Sequence, residues 1–313
     1  MDKLLEILAW DYILRNSLYA SLLIGAVVPL VGTLLVAARR SMLALALPQV
    51  GKFGVTLTVC AASLAGVDFS ARDHEGRFFA LALLGALAAM ALAIFVLWCL
   101  EWGRSGETES HTGALYACAG AGTVILAASH LVPELGLLNV LKGEVLTVPS
   151  GNLLGLLAGY TAIAVVLLLL RHPIQMVVYD QWLAYTSGLP ARAISALLLA
   201  LVCLTIALGG LCSDPLAIFA FLILPPLTVL PFARRITHVY IGAVLVGVIG
   251  AFAGFYVSCA YEDLNLPTSA AQIASLGIFW IVSFVFVLAA EKFRGARPNK
   301  PQVEPSTAQG AAS

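Results

Sequence analysis

Two polar residues interrupt the second apolar stretch of the chain, residues 41–64. Gln49 and Lys52 lie three positions apart, so they share one face of a helix, and Pro48 removes a backbone hydrogen bond just before them. An ionisable side chain is costly inside a membrane and is a sign of function there. The pattern predicts a broken helix on which Gln49 and Lys52 face a translocation pathway. The alternative is that Lys52 reaches the membrane surface or pairs with a carboxylate that holds the bundle together.

A second polar region, residues 130–152, is too polar to cross a membrane, yet its middle is too apolar for a free loop. We expect a half-helix that dips into the outer mouth of the protein. His130, Glu134 and Glu144 could contact a cation there, because histidine and carboxylate groups suit zinc or manganese. Their spacing is loose, and a structural histidine is the alternative. A lysine that lines a cation path needs a partner, and Glu144 is the carboxylate that we predict for Lys52.

The third region is the loop over residues 171–192. Residues 179–189 carry apolar side chains at helical spacing, and Gly188 with the proline that follows is expected to end this helix. A short amphipathic helix at a membrane surface either docks into a partner or rests on lipid headgroups. Trp182 beside the small Ala184 favours a partner groove, and headgroup anchoring is the competing interpretation.

Enzyme signatures are absent from the sequence. There is no His-Glu-x-x-His, no Gly-x-Ser-x-Gly and no Walker-type phosphate loop. The six cysteines are spread singly, without the paired spacing of zinc or redox sites. We therefore expect a chain that is not an enzyme, needs no cofactor and does not hydrolyse ATP itself. The lipid bilayer is an expected partner and nucleic acid is not.

Nine apolar stretches must position these residues. Hydrophobic residues make up 61% of the chain and charged residues 11%, about half the charged share of a soluble domain. Each stretch has roughly the 20 residues that a helix needs to cross a bilayer, where backbone groups must be satisfied internally. The sequence predicts an all-α polytopic transmembrane bundle of about nine spans in one domain, 1–290, followed by a short disordered cytoplasmic tail, 291–313. The stretches are 17–38, 41–64, 78–100, 113–133, 152–170, 193–211, 215–233, 239–261 and 268–290.

Basic residues predict the orientation of the bundle in the lipid bilayer. Eleven of them fall on the side reached after the first span, and five fall on the opposite side. Loops rich in Lys and Arg remain in the cytoplasm, so the N-terminus is expected outside and the C-terminus inside. Acidic residues concentrate on the outer side, where they would attract cations. The alternative is that they simply remain where basic residues are excluded.

These regions, in this order, resemble the permease subunit of zinc/manganese/iron-type ABC importers over roughly residues 15–290. Each motif is short, but their order together with the span count makes the resemblance specific. The matching segments are Arg39-Arg40, Leu141-x-Gly143-Glu144-x-Leu146, the spacing of Asp180, Ala184 and Gly188, Leu222-Ile223-Leu224-Pro225-Pro226 followed by Ala233-Arg234-Arg235, and Ser258 with Asp263 and Pro267.

The chain departs from the family pattern at two places. After the double arginine the family usually has Gly-Asp-x-x-x-His, whereas residues 45–50 read Leu-Ala-Leu-Pro-Gln-Val. Ser269 stands where a glycine is expected after Pro267. Because the familiar polar pair is missing, the resemblance leaves the metal open.

The resemblance implies a type II ABC importer permease-like fold in the bacterial cytoplasmic (inner) membrane. It implies a homodimer with the pathway on its two-fold axis, a cytoplasmic ATP-binding subunit, and an extracytoplasmic solute-binding protein that delivers the ion. Two alternatives are an ion- or proton-coupled secondary carrier, which needs no ATPase, and a non-transporting membrane scaffold. The expected pathway residues are Gln49, Lys52, His130 and Glu144, and the expected ATPase contact, a coupling helix, comprises Asp180, Ala184 and Gly188.

The orientation can be tested with a reporter that is active only in the cytoplasm, fused after Pro298 or after Gly76. We expect activity from the Pro298 fusion and none from the Gly76 fusion, because the basic loops hold the C-terminal side in the cytoplasm. Activity after Gly76, or silence after Pro298, would contradict this orientation.

Overall fold

The computed structural model describes residues 12–65, 75–101, 108–128, 150–260 and 266–293. Within these ranges the chain is helical and has no strand. The helices are α1 (Tyr12–Ala37), α2 (Ser41–Leu64), α3 (Glu75–Glu101), α4 (Thr108–Ala128), α5 (Ser150–Leu169), α6 (Arg171–Tyr179), α7 (Gln181–Thr186), α8 (Ala191–Gly210), α9 (Pro215–Val229), α10 (Ile236–Ala260) and α11 (Thr268–Phe293).

The predicted all-α membrane bundle is confirmed, and each of the nine apolar stretches overlaps one of these helices. Seven of the described helices are long and apolar enough to cross a membrane. The two remaining apolar stretches, which correspond to α5 and α9, make the predicted count of nine crossings approximate. Helix α5 is followed after one residue by α6, which is bent away by 71°. Helix α9 has only 15 residues, or about 22 Å, which is less than the ~30 Å of a bilayer core.

The short helix α9 lies at the centre of the bundle. It packs against α1, α2, α10 and α11, and also contacts α8. The side chains of Ile218, Phe221 and Leu222 on α9 are fully buried. Helices α3, α4 and α11 are more exposed and form the outside, as expected for surfaces that face lipid.

The helix ends sort into two ends of the bundle. Helices α1, α5 and α9 finish where α2, α8 and α10 begin, and the residues at these junctions are basic. We call this the basic end of the bundle; it includes Arg39, Arg40, Arg171, Arg192, Arg234 and Arg235. Arg39 itself has the left-handed backbone angle φ 56° that turns the chain from α1 into α2.

Buried hydrogen bonds hold α11 on the inner helices. The Gln272 side-chain nitrogen donates to Ser21 Oγ of α1 at 2.6 Å. Ser275 Oγ donates to the carbonyl of Gly250 in α10 at 2.7 Å. Ser283 Oγ donates to a backbone carbonyl of α9 at 2.8 Å. Polar links of this kind fix helix registers in a membrane, where apolar burial alone does not distinguish one register from another.

One expectation about helix bounds is wrong. Helix α2 runs without a break from Ser41 to Leu64 through Pro48, so the predicted broken helix is not found. Proline is tolerated within a spanning helix when neighbouring protein supports the bend, and Pro48 is buried among other helices. The last span, predicted as 268–290, corresponds to α11, of which Thr268–Ala289 is the apolar part that could cross a membrane. The predicted tail stays a prediction, since residues 294–313 lie outside the described ranges.

Close packing of α10 on α11 depends on a glycine without a side chain. A Cβ atom at Gly254 would overlap the backbone of Gln272, whereas a Cβ at Gly277 on α11 would meet nothing within 4 Å. We expect Gly254→Ala to lower thermal stability in detergent by about 1–3 kcal/mol, because the two backbones must separate. Gly277→Ala is the matched control and should be neutral or slightly stabilising. Equal melting temperatures for the two variants would contradict this packing.

Candidate functional site

An ion pair joins α2 to the start of α9. Lys52 Nζ lies 3.1 Å from Asp214 Oδ1, and the two side chains are 16% and 30% exposed. Lys52 is the twelfth of the 24 residues of α2, so it lies near mid-height of the bundle. The start of α9 must therefore lie at the same depth. The turn between α8 and α9 thus enters the bundle instead of staying at its surface.

Local sequence explains why Asp214 begins a helix at this depth. Its side chain accepts a hydrogen bond from the Leu216 backbone N–H at 3.2 Å, and Pro215 occupies the first helical turn. A carboxylate at a helix N-terminus satisfies a free N–H group and interacts favourably with the helix dipole. The hydroxyl of the adjacent Ser213 is buried, and no hydrogen-bond partner is found for it among the described residues. The turn is therefore a polar site inside an apolar bundle.

Gln49 lies on the same side of α2 but contacts a different helix. Its side-chain nitrogen is 3.3 Å from the position that a Cβ atom would take on Gly120 of α4, so this glycine leaves room for the amide. Gln49 is half-buried. The structure thus places Gln49 between α2 and α4, and Lys52 between α2 and α9, one turn apart.

The structure shows a partner of Lys52 that the sequence analysis did not select. Asp214 pairs with Lys52, whereas Glu144 and His130 lie outside the described residues, so their expected pathway roles stay predictions. The Asp-Pro pair that caps α9 was visible in the sequence as a helix start. Its proximity to Lys52, 162 positions earlier, was not, because no local pattern encodes that contact. Across the described ranges, no three His, Cys, Asp or Glu side chains come together to hold a metal ion.

The predicted helix 179–189 is wrong in its bounds. The chain instead forms α6 and α7, separated by Asp180 in an extended conformation with φ −145° and ψ 94°. The Asp180 carboxylate accepts a hydrogen bond from the Leu183 backbone N–H at 3.0 Å, which starts the new helix. Helix α7 stops at Thr186, three residues before the predicted end, and Gly188, which was predicted to end the helix, has φ 76°, a left-handed conformation that favours glycine.

Ala184 faces the protein instead of a partner. Its side chain is completely buried against Val177 of α6 and Ala191 of α8. Trp182 and Tyr185 point away from this contact and are 82% and 73% exposed. The expectation that the Ala184 side chain enters a partner groove is therefore wrong. We call Trp182 and Tyr185 the α7 aromatic surface; with Ala191 and Arg192 they line a cavity of about 450 Å³ at the basic end.

The serine of the last matching motif has a structural role. Ser258 Oγ donates to the carbonyl of Leu266 at 2.9 Å and lies 3.2 Å from Thr268 Oγ1. These contacts join the end of α10 to the start of α11. Asp263 lies outside the described residues.

Comparisons with known proteins agree with this architecture. The manganese transport system membrane protein MntC of Halalkalibacterium halodurans is 23% identical over 257 residues, which cover 82% of this chain and 82% of that protein. The structure of PsaBC from Streptococcus pneumoniae in complex with Fab is similar at a TM-score of 0.75 and 19% identity, over 90% of this chain and 95% of that one. An ABC transporter described as of the metal-chelate type, in an inward-facing conformation, is similar at a TM-score of 0.65 and 17% identity, over 87% of both chains. At these identities the two solved structures show the fold.

The family follows from a match to nearly the whole chain. The model of the ABC 3 transport family matches residues 10–287, which include every described helix except the last six residues of α11. The resemblance indicated by the sequence motifs is confirmed at this level. The chain belongs to the ABC 3 transport family.

Proposed function

We propose that this chain is the membrane-spanning permease subunit of an ATP-binding-cassette importer that moves a divalent metal ion into the cell. The observation that carries the proposal is the family match over residues 10–287. Manganese is the first candidate, because the curated relative is named as a manganese transport protein. Zinc and iron are the other ions that the family resemblance suggests.

The proposed assembly is a homodimer in the bacterial inner membrane, with its basic end in the cytoplasm. A separate cytoplasmic subunit hydrolyses ATP, and an extracytoplasmic solute-binding protein delivers the ion to the outer mouth. The chain itself is not an enzyme in this assembly. The basic junctions between helices support this orientation, since cytoplasmic loops carry an excess of Lys and Arg.

The α7 aromatic surface is the proposed contact with the ATPase. Large exposed aromatic side chains are common anchors of protein interfaces. Trp182 and Tyr185 stand on a helix that is fixed from behind by the buried Ala184, so they are presented rigidly. Asp180 and Gly188 contribute by ending α6 and α7 at defined points, through a side-chain cap and a left-handed turn. Their part in the contact is to shape α7.

The proposed pathway passes the polar residues of α2. Gln49 and Lys52 lie on it with Asp214, and the sequence adds His130 and Glu144 from the outer mouth. An unpaired positive charge beside a cation path would repel the cation and raise the energy barrier to its passage. The Asp214 carboxylate at 3.1 Å offsets the charge of Lys52, which makes the pair compatible with cation passage.

A reconstituted system tests the function. The permease, its ATPase and its solute-binding protein are placed in lipid vesicles, and uptake of radioactive manganese is followed with zinc and ferrous iron as competitors. We expect uptake that requires ATP and stops when the ATPase carries a substitution that prevents hydrolysis. Uptake driven by a proton gradient without ATP would support a secondary carrier instead. Docking of the ATPase without any uptake would support a scaffold.

The α7 aromatic surface yields a prediction about docking. Trp182→Ala and Tyr185→Ala should each weaken binding to the ATPase by about 2 kcal/mol, roughly thirtyfold in affinity, because each removes an exposed anchor. Co-purification with the ATPase measures this loss. Thermal stability of the isolated permease should stay unchanged. Tyr19→Ala is the matched control, since Tyr19 is an exposed aromatic residue at the other end of the bundle.

A third variant separates docking from folding. Ala184→Arg forces a charged side chain into the buried contact with Val177 and Ala191, so it should lower both stability and docking. If the Trp182→Ala, Tyr185→Ala double variant still co-purifies fully with the ATPase, α7 does not bind the ATPase and is better explained as a lipid anchor.

The ion pair yields a prediction about the pathway. Lys52→Met leaves the Asp214 carboxylate without its counter-charge and should reduce both stability and metal uptake. Asp214→Asn keeps a side chain that can cap α9, and in the Lys52→Met background it should restore part of the stability. We expect a coupling of about 0.5–3 kcal/mol in a double-mutant cycle on thermal unfolding in detergent.

The same cycle with Glu144→Gln serves as the comparison, because Glu144 is the partner that sequence reasoning selected. Additive effects of Lys52→Met and Asp214→Asn would show that the two residues do not interact. A larger coupling energy between Lys52 and Glu144 than between Lys52 and Asp214 would show that Glu144 is the main partner of Lys52.

A further inference from the structure

A lateral groove of about 400 Å³ lies between α1, α5, α6 and α10. Its volume is within the range of ligand pockets. The walls are apolar and come from three membrane-spanning helices, for example Leu34 of α1, Leu167 of α5 and Val244 of α10. None of the sites described above uses this groove.

One end of the groove is polar. Arg171 and Gln175 of α6 meet Thr237 and Tyr240 of α10 there. The side chains of Gln175 and Tyr240 both line this end, one from each helix. Arg171 is exposed, so its guanidinium is free to receive a ligand from outside the bundle.

The groove is oriented like a phospholipid in one leaflet, with a polar end at the membrane surface and apolar walls beneath it. Its polar end lies at the basic end of the bundle, where α5 turns by 71° into α6 and where α10 begins. Its apolar walls extend from there toward the middle of the spanning helices. A cation at the level of the headgroups with an apolar channel beneath it is complementary to an anionic phospholipid.

We propose that this groove binds an anionic phospholipid of the leaflet at the basic end. The Arg171 guanidinium pairs with the phosphate, and an acyl chain lies along the walls formed by α1, α5 and α10. Arginine suits this role because its planar group binds phosphate oxygens in pairs. The site is independent of the ion that the protein carries.

The bound lipid has a structural consequence for α7. Helix α6 is joined to α7 by Asp180 and by the packing of Val177 on Ala184, and it also contacts α1, α5 and α8. A lipid held between α6, α1 and α10 fills the space behind α6 and fixes its angle to α5. The angle at which the α7 aromatic surface is presented then depends on the lipid.

Native mass spectrometry of the purified chain tests the site. Phosphatidylglycerol and phosphatidylcholine with identical acyl chains are titrated onto the protein in detergent. We expect tighter retention of phosphatidylglycerol, and about a fivefold loss of this preference in Arg171→Gln, the effect of removing one basic residue near a membrane surface. Arg192→Gln is the matched control, because Arg192 is also an exposed arginine at the basic end but lines a different cavity.

A second pair of variants tests the acyl channel. Ala164→Phe fills the groove and should lower retention of both lipids while Arg171 is intact. Ala162→Phe, on the exposed side of the same helix and away from the groove, should leave retention unchanged. Soluble glycerol phosphate should not compete at equal concentration, since it lacks the acyl chain.

Three outcomes overturn the proposal. Retention that is unchanged in both Arg171→Gln and Ala164→Phe shows that lipid does not occupy the groove. If Ala164→Phe lowers lipid retention but Arg171→Gln keeps the preference for phosphatidylglycerol, Arg171 does not bind the headgroup. A shift from dimer to monomer in these variants, with lipid retention per chain unchanged, shows that a second copy of the chain covers the groove.

Discussion

A lysine held at mid-height of an apolar bundle is the constraint on which much of this structure depends. A charge at this depth requires a counter-charge, and the Asp214 carboxylate supplies one at 3.1 Å. For Asp214 to reach Lys52, the turn after α8 has to enter the bundle. Helix α9 therefore begins inside the bundle and has only 15 residues. The pair thus sets the length of the central helix as well as the charge at the centre of the bundle.

The remaining helices are arranged around this short central helix. Helix α9 is apolar on all sides, which suits an element surrounded by protein. The helices around it approach closely where side chains are small: a Cβ atom at Gly32 of α1 would overlap the carbonyl of Leu222 in α9. Serine and glutamine side chains then fix the register of α11 on its neighbours. Lipid cannot provide such specificity, because it is as apolar as the helix surfaces themselves.

The sequence was enough to predict the helices, but it was not enough to predict the long-range contacts between them. Long uncharged stretches predict helices because lipid leaves the backbone no other way to satisfy its hydrogen bonds. Pro48 suggested a break that the surrounding helices prevent, since support from neighbours is invisible in a local pattern. The start of α7 was misplaced because Asp180 caps a new helix where apolar spacing suggested one continuous helix. The spacing that placed Ala184 beside Trp182 could not say which of them faces inward.

Helix α8 connects α7 to the turn that carries Asp214. Its first residue, Ala191, packs against Ala184 of α7, and its last, Gly210, is followed within four residues by Asp214. A helix of 20 residues spans about 30 Å and transmits displacement along its axis because its backbone hydrogen bonds resist compression. A displacement of α7 along this axis would therefore reach the turn that carries Asp214 through one helix. Because Asp214 pairs with Lys52, such a displacement would act on an ion pair inside the bundle and not only on a surface loop.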